Sequence, residues 1–292
     1  MKRKRDTVFI ILVVLFTIVT VLTLVFVIGF ITIESVPALR EVGIKDFLFG
    51  QTWMPVEYTG TTSFGIGNFI AGTVFVSILA MFMASVISIG AATWLACVAG
   101  ERSRKLIYPF VELLAGVPSV VYGFIGLTTL VRLFIRWGVH TGSCCLAAGI
   151  MLAIMLFPFL VSSCSDTILK IKNRYLPSAE MLGISKWYAI TNMILPASFP
   201  GILTSMVLAI GRAMGETMAV MMVMGNANLF PSLLGKGETI ASAIALEMGT
   251  ALVGSTHYHA LYASGLALVI LLLIINLGIH FLRNSFERKG LL

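Results

Sequence analysis

Charge is what this chain has least of: only 33 of its 292 residues are charged, 20 basic and 13 acidic. A soluble domain carries charge on about 25% of its residues, and 33 charges cannot solvate the outside of a globule this long. A soluble enzyme, a disordered chain and a secreted disulfide scaffold are excluded. Cysteine is scarce as well. Cys97, Cys144, Cys145 and Cys164 lie in or beside apolar runs, with no CxxC and no histidine at ligand spacing, so they read as small packed hydrophobes. Signatures of catalysis are missing: no H-E-x-x-H, no G-x-S-x-G, no paired carboxylates. The one Gly-Lys pair, Gly235-Lys236, is followed by Gly237 and lacks the upstream glycine of a phosphate-cradling loop. No internal repeat or low-complexity segment is found. Whatever work this protein does, another chain supplies the energy.

Hydrophobic length is what the chain has instead. Apolar residues make up 58% of it and the mean hydropathy is +1.00. With about 20 apolar residues needed per crossing, six membrane-spanning helices are expected: Val8–Ile33, Phe69–Val98, Leu106–Phe134, Cys144–Ser163, Leu203–Met224 and Tyr258–Leu282. This is an all-α polytopic membrane protein. The first run follows Lys2-Arg3-Lys4-Arg5 and is too long for the 7–15 apolar residues of a cleaved signal, so a retained signal anchor is expected. Lys and Arg number 14 in the N-terminus, the Arg102–Lys105 turn, the Lys170–Lys186 segment and the C-terminal end. Only Arg40, Lys45, Arg132, Arg136 and Lys236 lie in the alternate segments, with Arg212 left inside a span. The positive-inside bias places both termini in the cytoplasm. Residues 34–68 then form an outer loop with a short helix. The expected organisation is 1–68 anchor and loop, 69–285 membrane-embedded core, 286–292 cytoplasmic tail.

Two stretches carry the chemistry. The inner segment runs Tyr175-Leu176-Pro177-Ser178-Ala179-Glu180-Met181-Leu182-Gly183-Ile184-Ser185-Lys186-Trp187 and later Ile194-Leu195-Pro196. Pro177 suits the first position of a helix and Gly183 its C-terminal stop. A short helix across the membrane surface is expected, then a second one ended by Leu195-Pro196. The other stretch, Gly211-Arg212-Ala213-Met214-Gly215-Glu216-Thr217-Met218-Ala219-Val220, falls in the fifth span. A charge at mid-span costs about 2.5–3.5 kcal/mol, so an idle Arg212–Glu216 pair is disfavoured. Their i, i+4 spacing puts both on one helix face, turned to a bundle interior or a watery path. A structural ion pair is one reading. The other is an arginine fork that bonds phosphate oxygens, with Glu216 holding it while the path is empty.

In the third span, Gly116-Val117-Pro118 marks a kink whose freed carbonyl needs an internal partner, and Ser119 and Tyr122 offer hydroxyls nearby. Either simple packing or a lining of the path accounts for it. Glu112, near the inner end of that span, is expected to pair with a basic neighbour. Met218, Met221, Met222 and Met224 read as adaptable packing. His140, His257 and His259 fall outside the spans and His280 near the last one's inner end, with no metal spacing.

These residues also carry a resemblance. Ala179-x-x-x-Gly183 followed by Leu195-Pro196 resembles the cytoplasmic loop of ABC-importer permeases, whose coupling helix docks on an ATPase subunit. The usual pattern has Glu where this chain has Pro177, and Glu180 stands one turn on. Gly211–Val220 with Gly225-Asn226, and Glu112–Gly123, are similar to the C-type permease subunit of the phosphate ABC importer; Thr61–Gly72 and Ala147–Pro158 are similar more loosely. Met218 stands where the sister A-type subunit has Ala-Pro. The resemblance covers about residues 60–285 and implies the type I ABC-importer permease fold. It implies a path past Arg212, Glu216, Thr217, Ser119 and Tyr122, and coupling through Ala179, Glu180, Gly183, Ser185 and Lys186. Implied partners are an A-type permease, two ATPase subunits that use ATP and Mg²⁺, and an outer phosphate-binding protein. No cofactor is expected on this chain itself. Rival readings are a permease for sulfate or molybdate, a membrane enzyme (which would need clustered His, Asp or Glu at one membrane face), and a non-transporting scaffold.

Overall fold

The computed structural model describes residues 2–55 and 62–288, with side chains over 9–55, 62–279 and at Phe281. The side chains of Lys2–Arg5, His280, Arg283 and Arg288, and the whole of Glu57 and Lys289, lie outside the described residues. Six helical passages among the described residues are long and apolar enough to cross a membrane. The first helix, α1 (Lys2–Val42), runs nine residues past its expected end. Its continuation is tied to the last helix, α12 (Thr256–Arg288): Glu34 meets His259 at 3.2 Å and Thr256 donates to Glu41 at 2.9 Å. These ties use up part of the expected 34–68 loop. The rest holds the short helix α2 (Ile44–Phe49) and a two-stranded antiparallel ribbon, β1 (Trp53–Met54) and β2 (Ser63–Phe64), with Trp53 opposite Phe64.

The second passage is α3 (Gly67–Thr93), which ends in a π-helical turn, Trp94–Val98. It packs along α7 (Cys145–Met181), the most buried passage. Small residues make the approach close: Ala80, Ala84, Ala147 and Ala148 are buried, and a Cβ on Gly149 would stand 2.7 Å from Leu79. Lipid tails are as apolar as leucine, so close packing of small residues drives association where hydrophobicity cannot. Around this seam Met151, Leu152, Met155 and Leu156 form the core with Val220, Val223 and Met224.

The third span is not continuous. It divides into α4 (Glu101–Ala115) and α5 (Ser119–Ile125), followed by a π turn, Gly126–Leu130, and α6 (Val131–Arg136). Glu112 is exposed on α4 and makes no ion pair among the described residues, contrary to expectation. After α7 the chain turns into α8 (Lys186–Ala189), a π turn Ile190–Ile194, and α9 (Leu195–Met214). The expected stop at Leu195-Pro196 is therefore absent: Pro196 sits at the head of α9, where a missing N–H costs little. The fifth span breaks a second time before α10 (Met218–Met224).

Residues 225–239 then cover the start of α7. Two of its helix-start amides are satisfied there, Cys145 by Gly235 O and Leu146 by Leu233 O, while Cys144 N bonds Val223 O of α10. The helix α11 (Ile240–Glu247) begins with a reciprocal Thr239–Ser242 cap. His257 and His259, expected outside the spans, belong to the first turns of α12, within the sixth apolar passage. His257 Nε2 lies 2.7 Å from Glu247, whose carboxylate also accepts from Trp53 Nε1 at 2.9 Å. All four cysteines are free and buried.

Candidate functional site at two broken spans

Depth along the bundle follows from how α9 pairs with α7. Ser163 and Ser205 share a hydrogen bond of 2.7 Å, and Gly201 abuts Thr167, so the two helices run antiparallel in fixed register. That register sets Arg212 at about the level of Leu156. Leu156 is 11 residues into α7 from Cys145, about 16 Å at 1.5 Å per residue, or half of a hydrocarbon core of about 30 Å. The arginine is at mid-membrane.

Its surroundings differ from the expected ion pair. Helix α9 stops at Met214, where Gly215 N bonds Gly211 O and Glu216 N bonds Ala213 O. Arg212 occupies the last turn of α9, and Glu216 stands outside the helix. No Arg212–Glu216 ion pair forms among the described residues. Each charge sits instead on a helix end of opposite sign. Arg212 is at the carbonyl end of α9, while the Glu216 carboxylate accepts from Ala219 N at 3.2 Å and so caps the start of α10. The guanidinium lies over the Phe159 ring at 5.8 Å, an attraction of about 0.5–2 kcal/mol. Arg212 is exposed on the surface of this chain, with Glu216 and Thr217 half-buried beside it.

The break in the third span faces the same region. Pro118 has no N–H, so the Leu114 carbonyl one turn earlier loses its helical partner. Tyr122 supplies the replacement, its hydroxyl donating to Leu114 O at 2.9 Å. Tyr122 is buried, while Ser119 is half-buried at the start of α5. Next, Gly123 brings the two broken spans together: a Cβ there would stand 2.8 Å from Met222 Sδ, 3.0 Å from Ala219 Cα and 3.1 Å from Met218 O. The structure thus gathers Arg212, Glu216, Thr217, Ser119 and Tyr122 around two facing helix interruptions. Phe159 and Gly123 were missed by sequence reading. Gly123 had a signal, since Gly123 and Gly126 follow the proline kink three residues apart; Phe159 had none.

The residues expected to couple lie toward the C-terminal end of α7. Pro177 is inside α7 instead of opening a separate helix, so the expected short surface helix is the last turn of a 37-residue one. Gly183 does end it, with φ +71 and with Gly183 N on Glu180 O and Ile184 N on Ala179 O. Ser185 caps α8, accepting from Tyr188 N at 3.4 Å. Ala179 is buried in the turn, whereas Glu180, Ser185 and Lys186 are exposed on it. Sequence reading overlooked an apolar knob here: Met181, Leu182 and Trp187 are 81%, 74% and 66% exposed.

Residues 84–290 match the family model described as the binding-protein-dependent transport system inner membrane component. The chain belongs to this family. The matched range holds both broken spans and the turn at Gly183. Among relatives, the "Probable ABC transporter permease protein YqgH" of Bacillus subtilis is 34% identical over 84% of this chain and 78% of its own length. The phosphate transport system permease protein PstC of Xylella fastidiosa is 36% identical over 80% and 76%. Among solved structures, a bacterial alginate ABC transporter in complex with an alginate-pentasaccharide-bound periplasmic protein is similar at a TM-score of 0.61, covering 94% of this chain and 95% of that one at 18% identity. The fold is that of type I ABC-importer permeases, and the family places the chain in a prokaryotic inner membrane.

Proposed function

We propose that this chain is the C-type permease subunit of an ATP-driven phosphate importer. The single observation that carries the mechanism is a guanidinium at mid-membrane that pairs with no carboxylate among the described residues. A bundle keeps such a charge where an anion passes. The substrate assignment rests on relatives named phosphate transport permeases, at 30–36% identity over most of the chain. In this reading both termini are cytoplasmic. An A-type permease apposes its own broken spans to these, a phosphate-binding protein delivers the anion from outside, and two ATPase subunits bind ATP and Mg²⁺ below. The chain itself holds no nucleotide.

The residues divide the work. Arg212 forks onto the phosphate oxygens, steadied by Phe159 on one side. Glu216 stays on its helix end, leaving the fork open, and Thr217 and Ser119 offer hydroxyls beside it. Tyr122 keeps the kink shut against stray water by occupying the Leu114 carbonyl. The knob of Met181, Leu182 and Trp187, set by the Gly183 turn, is the surface an ATPase cleft would grip, with Glu180 and Lys186 at its rim. Motion of that tip travels along α7 and α9 to the break.

The test is labelled phosphate uptake into vesicles carrying this chain, its A-type partner, the ATPase and the binding protein. Arg212→Gln is expected to lower uptake about tenfold or more, the loss of a charge-assisted contact of about 1.5–3 kcal/mol, with assembly intact. Uptake unchanged by that substitution refutes the path role. Sulfate or molybdate transport without phosphate transport refutes the substrate.

A further inference from the structure

At the first turns of α4, away from the two helix breaks, α4 and α7 border an open cleft of about 350 Å³ that neither the path nor the coupling tip uses. Arg104, Lys105, Tyr108, Ser165, Asp166 and Leu169 line it. The inner face of α4 is fixed, with Val111, Ile107 and Tyr108 packed on Val161 and Phe157 of α7. Tyr108 also donates to Asp166 at 2.7 Å. The cleft therefore keeps its shape without an occupant.

Three features say what fits it. The first is depth. Asp166 is 21 residues beyond Cys145, about 31 Å down the helix, one hydrocarbon thickness and so at headgroup level. The second is charge. Two cations and one carboxylate line the cleft, and the Lys105–Glu101 pair beside it is 74% and 70% exposed, too solvated to hold Lys105 strongly. A singly negative group with a hydroxyl to donate matches that set. The third is the outer face of α4, which borders the cleft at its Pro109 edge. Leu106, Phe110 and Leu113, at helical spacing on α4, are 66%, 61% and 69% exposed. A free phosphate has no use for that stripe, but an acyl chain does.

We infer that this cleft binds an anionic glycerophospholipid of the leaflet at the basic end of the bundle. Its phosphodiester lies on Arg104 and Lys105, a headgroup hydroxyl donates to Asp166, and one acyl chain follows Leu106, Phe110 and Leu113. Basic pockets between spans on the cytoplasmic side suit such headgroups. The inference is independent of the transported substrate, since it would hold for any cargo.

Native mass spectrometry of the full-length chain in detergent, titrated with phosphatidylglycerol or phosphatidylcholine, tests it. Phosphatidylglycerol is expected to be retained preferentially. The double substitution Arg104→Ala with Lys105→Ala should lower its retention about thirtyfold, two surface cations' worth, and leave phosphatidylcholine unchanged. Lys170→Ala, outside the cleft, should change neither. Arg104→Gln alone, which removes one charge and keeps a polar side chain, should lower retention severalfold and covers the case in which the double variant fails to fold. Equal retention of the two lipids, or equal effects of Arg104→Gln and Lys170→Ala, overturns the inference. Displacement of the lipid by excess inorganic phosphate overturns it too, reassigning the cleft to a free anion.

Discussion

Gly123→Ala measures how closely the two broken spans must pack. The added Cβ would meet Met222 Sδ at 2.8 Å, Ala219 Cα at 3.0 Å and Met218 O at 3.1 Å. Met222 can rotate its flexible thioether away, but Ala219 Cα and Met218 O are backbone and cannot. Carbon atoms rest at about 3.5–4.0 Å, so α5 and α10 must separate by about 0.5–1 Å. Overpacking of this kind costs about 1–3 kcal/mol. The displaced helix is the one capped by Glu216, so the strain reaches the site directly. Gly116→Ala is the matched control at the other side of the same kink. Its Cβ would find only Leu113 O at 3.5 Å and Glu112 O at 3.9 Å, ordinary contacts. It should be neutral or more stable by about 0.4–1 kcal/mol through the unfolded chain. Thermal unfolding of the purified complex in detergent and phosphate uptake in vesicles provide the readouts. Gly123→Ala should lower both, and Gly116→Ala neither. If the two variants melt and transport alike, the helix breaks do not work as a packed unit and the reasoning fails.

Tyr122→Phe should cost about 0.5–1.5 kcal/mol, at the low end because Leu114 O still accepts from Val117 N at 3.2 Å. Uptake should stay within about twofold on that account, and a large loss with unchanged melting would instead make the hydroxyl part of the path. Glu238 is buried, and burial, with the Glu247 charge adding to it, pushes its carboxyl up to about 7. The folded chain then binds this proton more tightly than the unfolded one, so stability falls as pH rises from about 4.5 to 7, by on the order of 3 kcal/mol. Glu238→Gln should flatten melting temperature against pH over that window, and an unaltered slope would refute the assignment to Glu238. Leu182→Ala with Trp187→Ala should weaken co-purification of the ATPase about tenfold or more, each losing burial worth about 1.5–3 kcal/mol. Undiminished binding would place the coupling surface elsewhere.

Hydropathy made the six spans legible because each needs only a long apolar run, and α3 and α7 begin within two residues of expectation. The breaks were harder. Gly215–Thr217 lies among Met, Ala and Val, so composition reads Leu203–Met224 as one helix. The interruption depends on tertiary support, with Glu216 capping α10 and Gly123 admitting its backbone. At Pro118 the kink was legible and so was the need for a hydroxyl, because both follow from one missing N–H. Prolines misled where a membrane helix tolerates them. Pro177 is carried within α7 and Pro196 at the head of α9. The extension of α1 to Val42 was illegible for another reason: it rests on Glu34 and Glu41 meeting residues more than 200 positions away.

The way the two mid-membrane charges are stabilised explains how one can be available to an anion. An Arg–Glu pair on a continuous helix would satisfy itself, and an arriving phosphate would have to displace a carboxylate already in place. Breaking the helix between them changes that competition. Glu216 obtains a backbone amide and a helix start, and Arg212 obtains a helix end and an aromatic face. Each of these partners is weaker than a buried carboxylate for the guanidinium, so the charge is held without being spent. The cost of two charges at this depth is met by the broken backbone itself, whose unpaired amides and carbonyls the bilayer would otherwise penalise. The interruption and the charges therefore support each other, and under the proposed function a phosphate oxygen is a stronger partner for Arg212 than any the described residues give it.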